Sequence, residues 1–334
     1  MKERIVNSLK TILLASLPVL FDPSAGRTEA TMPQPGAERA ERRHLAATST
    51  VGDILRHPAF SGHARRVLPD ERGYDERMSL SRISSLLPYH SGVDTGTVVG
   101  GLNRMIDDVA DGRQVFYDIY SDQEKLADRS KENTGLFFFR GKPGAPFAIV
   151  SPGGGFAYVG SVHEGFPYAV EINREGYNVF VLKYRVGQAG RIATEDLAAA
   201  ISFVFESSRS LDVATDGYSV WGSSAGARMA ASIGSHGVAR FGGDDLPKPA
   251  AVIMAYTAHS DHSDREPPTF AVVGSEDGIA TPASMESRIE ELRRIGTPVE
   301  YRRVPSVGHG FGTGAGTNAE GWIAEAVRFW ERSR

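Results

Sequence analysis

Short apolar runs alternate with segments of helical spacing over most of the chain, and that alternation predicts the elements. Val115 to Tyr120 and Leu136 to Phe139 are β-rich runs expected to lead the sheet as antiparallel strands. Phe147 to Val150 forms a third strand, and Tyr177 to Tyr184 is almost continuously apolar, as a strand covered on both faces should be. Tyr218 to Trp221, Ala250 to Ala255, Thr269 to Val273 and Val299 to Val304 continue the series. Helical spacing lies between them. Leu197, Ile201, Val204 and Phe205 share one face, as do Trp322, Ala326, Val327 and Trp330 near the end. Thr281 stands before Pro282, a preferred first helical residue, and Gly296 stands past that helix. A helix is also expected over about Glu164 to Arg174. Ser161 and Glu164 have capping-box spacing, but Pro167 would then fall in the second turn, which moves the start later. Strands alternating with helices specify an α/β domain with a mostly parallel central sheet flanked by helices. Ligands of such sheets bind beyond the carboxyl ends of the strands.

The first third of the chain reads differently. Lys2, Arg4 and Lys10 precede a short apolar run from Ile12 to Phe21, then Ser24-Ala25-Gly26. Residues 1–25 therefore have the shape of a secretory signal peptide, too short in its apolar part to span a membrane of about 20 residues. Export to the periplasm or medium is the expectation, and an uncleaved cytoplasmic tail is the alternative. Residues 26–49 are rich in Ala, Glu, Arg, Pro and Thr and read as a disordered linker. Residues 50–112 form a helical prefix. In it Asp94 can cap a helix with Val98, Leu102, Met105, Ile106 and Val109 on one face, and Gly112 ends it. Residues 113–334 are left as a single catalytic-sized domain.

Composition narrows the classes. With 334 residues the chain can bury a large core. A formal net charge of −4 offers nothing to attract nucleic acid or an anionic membrane surface. The absence of cysteine removes disulfides, thiolate nucleophiles and Cys-based metal sites.

The candidate chemistry sits at strand ends. Tyr218 to Trp221 runs into Gly222-Ser-Ser-Ala-Gly226 and then into small residues that tolerate a helix, Ala227 to Ile233. Strand, Gly-x-Ser-x-Gly and helix is the layout of a nucleophile elbow, with Ser224 on the turn. A serine hydroxyl needs a base, and His309 follows the last strand in Gly308-His-Gly-Phe311. Asp277, in Gly274-Ser-Glu-Asp-Gly278, follows the preceding strand and can orient that base. Glu276 is the alternative acid, and Asp277 is preferred because the shorter side chain is the commoner choice in this loop. Gly153-Gly154-Gly155 ends the third strand, so that the N–H groups of Gly154, Gly155 and Ala225 are candidate oxyanion donors. Phe156, Tyr158, His163 and Tyr256 lie near strand ends as candidate substrate-binding residues. His259-Ser-Asp261-His262-Ser-Asp264 has the residue types of a metal site but reads as a polar loop, and no metal is assigned.

These stretches resemble the α/β-hydrolase superfamily of serine esterases, in its hormone-sensitive-lipase-like and acetyl-xylan-esterase-like branches. Pro152-Gly-Gly-Gly-Phe156, Gly222 to Gly226 and Gly308 to Phe311 carry the resemblance, together with Tyr184-Arg185 and Asp196. The order Ser, Asp, His along the chain is that of the superfamily. The resemblance spans Val115 to Trp330 and departs at Pro152, where the lipase branch has histidine. It implies the α/β-hydrolase fold, a Ser-His-Asp triad and hydrolysis of short-acyl esters, with acetylated carbohydrate among the substrates and no cofactor. A serine peptidase, an acyltransferase on the same fold and a non-catalytic binding protein are the alternatives. The expected partner is a small-molecule or carbohydrate ester. Neither nucleic acid nor a stable membrane span is expected, and the oligomeric state is open.

Overall fold

A computed structural model describes residues 42–334. The signal-peptide segment, residues 1–25, and most of the expected linker lie outside the described residues. Eight strands form one sheet: β1 (Phe116–Tyr117), β2 (Gly135–Phe139), β3 (Pro146–Ser151), β4 (Asn178–Lys183), β5 (Ala214–Ser223), β6 (Ala251–Ala255), β7 (Thr269–Gly274) and β8 (Val299–Val304). Their order is β1-β2-β4-β3-β5-β6-β7-β8. The two leading strands are antiparallel, β1 to β2 and β2 to β4, and every later pairing is parallel. Of the apolar run Val115 to Tyr120, only Phe116 and Tyr117 pair in the sheet. Tyr120 instead turns inward, where its hydroxyl donates to Asp196 at 2.7 Å.

The longer helices are α1 (Thr95–Ala110), α2 (Phe166–Arg174), α3 (Arg191–Leu211), α4 (Ala225–His236), α5 (Pro282–Arg294) and α6 (Trp322–Ser333). Neighbours α2 and α6 touch each other, as do α3 and α4, while the sheet runs between the two pairs. Every residue of β2, β4, β6 and β7 is buried, which accounts for their uninterrupted apolar runs. Among the described residues no helix is long and apolar enough to cross a membrane.

The helix α2 begins at Phe166, after a wide turn over Ser161–Gly165. Pro167 thus occupies its first turn, where a missing N–H breaks no intrahelical bond. The capping box expected from Ser161 and Glu164 does not form, because Glu164 points into the protein.

The prefix is part of the core. Val98, Leu102, Met105 and Ile106 of α1 are fully buried in the same apolar cluster as the sheet. At Gly101 a Cβ would lie 2.8 Å from the Cβ of Phe166, so glycine is what lets α1 approach α2 this closely. Asp94 caps α1 by accepting the Thr97 N–H at 2.7 Å. The linker expected to reach Ser49 ends earlier. From Arg42 on the chain is fastened to α1. Leu45 exchanges two hydrogen bonds with the Asn103 amide, and Arg42 and His44 pair with Asp111 and Asp107 at 2.7 Å each. Leu45 is buried there, an anchor too small to stand out in a polar stretch.

Candidate active site

Three strand ends converge. Ser224 sits on the turn between β5 and α4 with φ 49° and ψ −115°, a left-handed conformation that costs a non-glycine residue of order 1–3 kcal/mol. The turn is possible only because its neighbours lack side chains. A Cβ on Gly222 would lie 2.2 Å from the Gly226 carbonyl oxygen, and one on Gly226 would lie 1.8 Å from that of Ser151. The turn holds the Ser224 hydroxyl 2.9 Å from His309 Nε2. His309, on the loop after β8, brings its Nδ1 to 2.7 Å from Asp277 Oδ2. The other oxygen of Asp277 accepts the N–H groups of Ile279 and Ala280 at 2.9 and 2.7 Å, which locks the carboxylate. Glu276 is exposed, and among the described residues the carboxylate that meets the imidazole is that of Asp277.

The glycine-rich loop after β3 lies beside this chain of hydrogen bonds. Gly154 and Gly155 adopt φ 138° and 63°, and among the described residues the N–H groups of Gly154, Gly155 and Ala225 have no acceptor. Gly153 differs, because its N–H is consumed by Glu164 and by Ser223 Oγ. The arrangement can therefore deliver a serine oxygen to a carbonyl carbon, remove its proton, and receive negative charge on unpartnered N–H groups.

A cavity of about 820 Å³ opens over Ser224 and His309, with Phe156 and Tyr256 in its wall. Tyr158 and His163, expected there as well, are elsewhere. Tyr158 is fully buried, its hydroxyl 2.8 Å from His90 Nδ1 and 3.2 Å from the Tyr89 N–H. His163 is buried with its Nε2 3.0 Å from the Gly310 carbonyl. Burial, and then the neighbouring His90, push its pKa down to about 4, so it is neutral at pH 7. Both residues fill the space behind the loops, their apolar ring surface buried and their polar tips meeting His90, Tyr89 and Gly310.

The residue that the sequence did not reveal is Glu164. Its carboxylate is fully buried and surrounded by donors: the Gly153 N–H, the Ser223 hydroxyl, the Tyr256 hydroxyl at 2.7 Å and His90 Nε2 at 3.0 Å. Burial works to raise its pKa, but the His90 imidazole and the hydroxyl donors outweigh that and hold the carboxyl well below the usual range. These four partners belong to the glycine loop, the residue before Ser224, the cavity wall and the prefix. The prefix also reaches the base, since Ser91 Oγ donates to the His309 carbonyl at 2.6 Å and Ser91 N–H to that of Gly310 at 2.9 Å. The only sequence signal for Glu164 was a charge standing in a run of small and apolar residues.

The polar loop after β6 does not gather metal ligands. His259 lines the cavity, whereas Asp261 pairs with His236 at 2.7 Å. Among the described residues no three His, Cys, Asp or Glu side chains come together as a metal site. Tyr184 and Arg185 have scaffold roles: Tyr184 OH donates to the Pro152 carbonyl at 2.6 Å, and Arg185 pairs with Asp196 at 2.7 Å.

A mostly parallel eight-stranded sheet with antiparallel leading strands, and with a strand-turn-helix elbow carrying the serine, is the α/β-hydrolase fold. The family model described as BD-FAE matches residues 140–251. No curated protein matches the chain. Among solved structures, the chain is similar to an acetyl ester-xyloside bifunctional hydrolase from Caldicellulosiruptor lactoaceticus. The TM-score is 0.56 and the identity 21%, over 65% of this chain and 95% of that one. It is also similar to carboxyl esterase 2 from Tuber melanosporum, with TM-score 0.53 and 18% identity over 60% of this chain and 83% of the other. A carboxylesterase from Lactobacillus plantarum has the same score and identity, covering 60% of this chain and 92% of its own. These likenesses show the fold, and the BD-FAE match covers the glycine loop and the elbow within it.

Proposed function

We propose that the chain is a carboxylic ester hydrolase that works through an acyl-enzyme and acts on short-acyl esters, acetylated carbohydrate among them. The observation that carries this reading is the continuous hydrogen-bonded series from Asp277 through His309 to Ser224, at 2.7 and 2.9 Å. The Ser224 oxygen attacks the ester carbonyl carbon while His309 Nε2 takes its proton. Asp277 holds the ring in the required tautomer and stabilises its charged form. The carbonyl oxygen, now an anion, accepts from the N–H groups of Gly154, Gly155 and Ala225. Collapse breaks the bond to the alcohol, which leaves with the proton from His309. Water then repeats the sequence on the acyl-serine and releases the acid. The resemblance to esterases in fold and in the glycine and elbow motifs points the same way, and it favours ester over peptide bonds.

An ester panel tests the reading. Hydrolysis of p-nitrophenyl esters from two to sixteen carbons should be fastest for acetyl and butyryl, and kcat/KM should fall beyond about six carbons. Arg228, Ser232, His236 and Asp261 stand along the cavity wall, and a methylene laid against such groups forfeits up to about 0.8 kcal/mol of burial. Ser224→Ala should lose turnover and labelling by a fluorophosphonate while keeping its fold. An alanine variant within about tenfold of wild type overturns the assignment, and an optimum at ten carbons or longer overturns the acyl-length claim.

A further inference from the structure

The cavity over Ser224 is drawn out along α4. Arg228, Ser232 and His236 follow Ser224 at intervals of four residues, and all of them line the cavity. Each interval advances about 6 Å along a helix axis, so the polar stripe leads about 18 Å away from the nucleophile. The opposite face of α4 (Ala227, Ala230, Ala231) is buried among the strands. Arg240 stands at the far end.

The charges along this trough do not cancel. Its wall contains one acidic side chain, Asp261, and that one is taken by His236 at 2.7 Å. The Arg228 and Arg240 side chains are exposed, and among the described residues neither meets a carboxylate within ion-pairing distance. His259 adds no charge, because burial and then Arg288 and Arg228 push its pKa down to about 4. Its Nε2 is buried without a partner. The chain as a whole carries −4, so two unneutralised arginines in one cavity do not reflect a basic surface. A guanidinium recognises carboxylate or phosphate oxygens through paired N–H bonds.

We propose that this trough selects ester substrates bearing an anionic oxygen group, bound at Arg228 and drawn in by the added charge of Arg240, with the carboxylate of an acetylated uronic acid as the fitting chemistry. The proposal rests on the ester-hydrolase reading of the same site. In this arrangement the acetyl carbonyl sits over Ser224 while the sugar lies along the stripe. Its acid group comes within reach of Arg228, one helical turn from Ser224, while Arg240 adds positive charge farther along the same wall.

The experiment measures acetate release from three probes: O-acetylated methyl glucoside, O-acetylated methyl glucuronide and O-acetylated methyl glucoside 6-phosphate. The expected kcat/KM for the glucuronide exceeds that for the glucoside at least tenfold at low ionic strength, and the ratio shrinks as salt rises. In the Arg228→Gln, Arg240→Gln double variant the ratio should collapse to within about twofold of unity. A still larger ratio for the phosphate would support the anion site and assign phosphate as its ligand. Equal kcat/KM for all three probes, or a ratio that survives the double substitution, overturns the proposal while leaving the hydrolase reading intact. Calorimetric binding of methyl glucuronide to Ser224→Ala reads the anion site without turnover. Binding lost in the double variant, with no ester cleaved by the wild type, would retain the anion site and overturn the hydrolase reading. Absence of both binding and preference overturns the proposal outright.

Discussion

Ser224, His309 and Asp277 form a chain in which each atom has one orientation that works. Asp277 accepts three hydrogen bonds, two from backbone N–H groups, so it presents one oxygen to the imidazole in a single position. Asp277→Asn should leave this geometry intact but put an N–H or the wrong tautomer against His309, with a fall in kcat of about 10⁴ on the serine-protease precedent. Glu276→Gln, on an exposed side chain, should change kcat far less, and reversal of the two effects would reassign the acid. Glu164 is read by the same reasoning. Four donors converge on its carboxylate, and an isosteric amide would set an NH₂ group against donors on whichever side it faced. Glu164→Gln should therefore lower kcat on the order of tenfold to a hundredfold by shifting the glycine loop and the elbow, with KM moved less. Steady-state kinetics on p-nitrophenyl acetate checks this, and a kcat within twofold of wild type would make Glu164 a packing residue only. The positions of Ser224, Asp277 and His309 were legible because each is announced by a glycine-flanked turn after a strand. Glu164 was not, because its partners come from residues 90, 153, 223 and 256, which nothing in the local pattern connects.

At the scale of elements, the prefix holds the site from behind. The segment before α1 supplies His90 to Glu164 and Ser91 to the His309 backbone, and Tyr89 stacks on Tyr158 with ring centroids 5.9 Å apart. A core lacking it would expose the apolar face of α2 and leave the buried Glu164 carboxylate one donor short, which costs of order 1–3 kcal/mol. Truncation to residue 113 should accordingly give aggregated or inactive protein. Truncation to residue 41 should be neutral. Truncation to Ser49, which the sequence marked as harmless linker, should lower Tm measurably, because it removes Leu45 and the pairings of Arg42 and His44 with α1. Thermal melts of the three truncations decide the matter, and a soluble, fully active chain beginning at Val115 would refute the positioning role of the prefix. The apolar face of α1 was readable from its spacing. What that face covers was not, since amphipathicity states that a surface must be buried and leaves open against what.

The molecule as a whole carries a pH liability in its buried histidines. His163 is almost fully buried and its pKa falls from 6.5 to about 4. Between those values the unfolded chain binds a proton that the folded chain refuses, so stability is complete above about pH 6.5 and is lost as pH falls toward 4. The shift corresponds to a loss of order 3 kcal/mol for this group. Tm followed by circular dichroism from pH 7 to pH 4 should drop. His163→Gln, whose amide nitrogen can take the place of Nε2 and donate to the Gly310 carbonyl, should flatten part of the fall if its fold is kept. A Tm that does not change over that range would remove the buried histidine as the cause.

The sequence by itself determined what depends on local period and local backbone chemistry. Alternation of apolar strands with helical faces specified the α/β sheet, and glycines around Ser224 specified a turn that no other residue could make. The order of Ser224, Asp277 and His309 at the ends of β5, β7 and β8 followed, because a parallel sheet delivers all such ends to one edge. Tertiary structure alone decided which polar side chains lie buried together. It turned Glu164 away from its helix, sent Tyr158 and His163 behind the loops, and left Arg228 and Arg240 facing the cavity unpaired. The physical reason is that a buried charge is stabilised by the donors that meet it in space, and those donors are brought together by packing across the whole sheet rather than by their spacing along the chain.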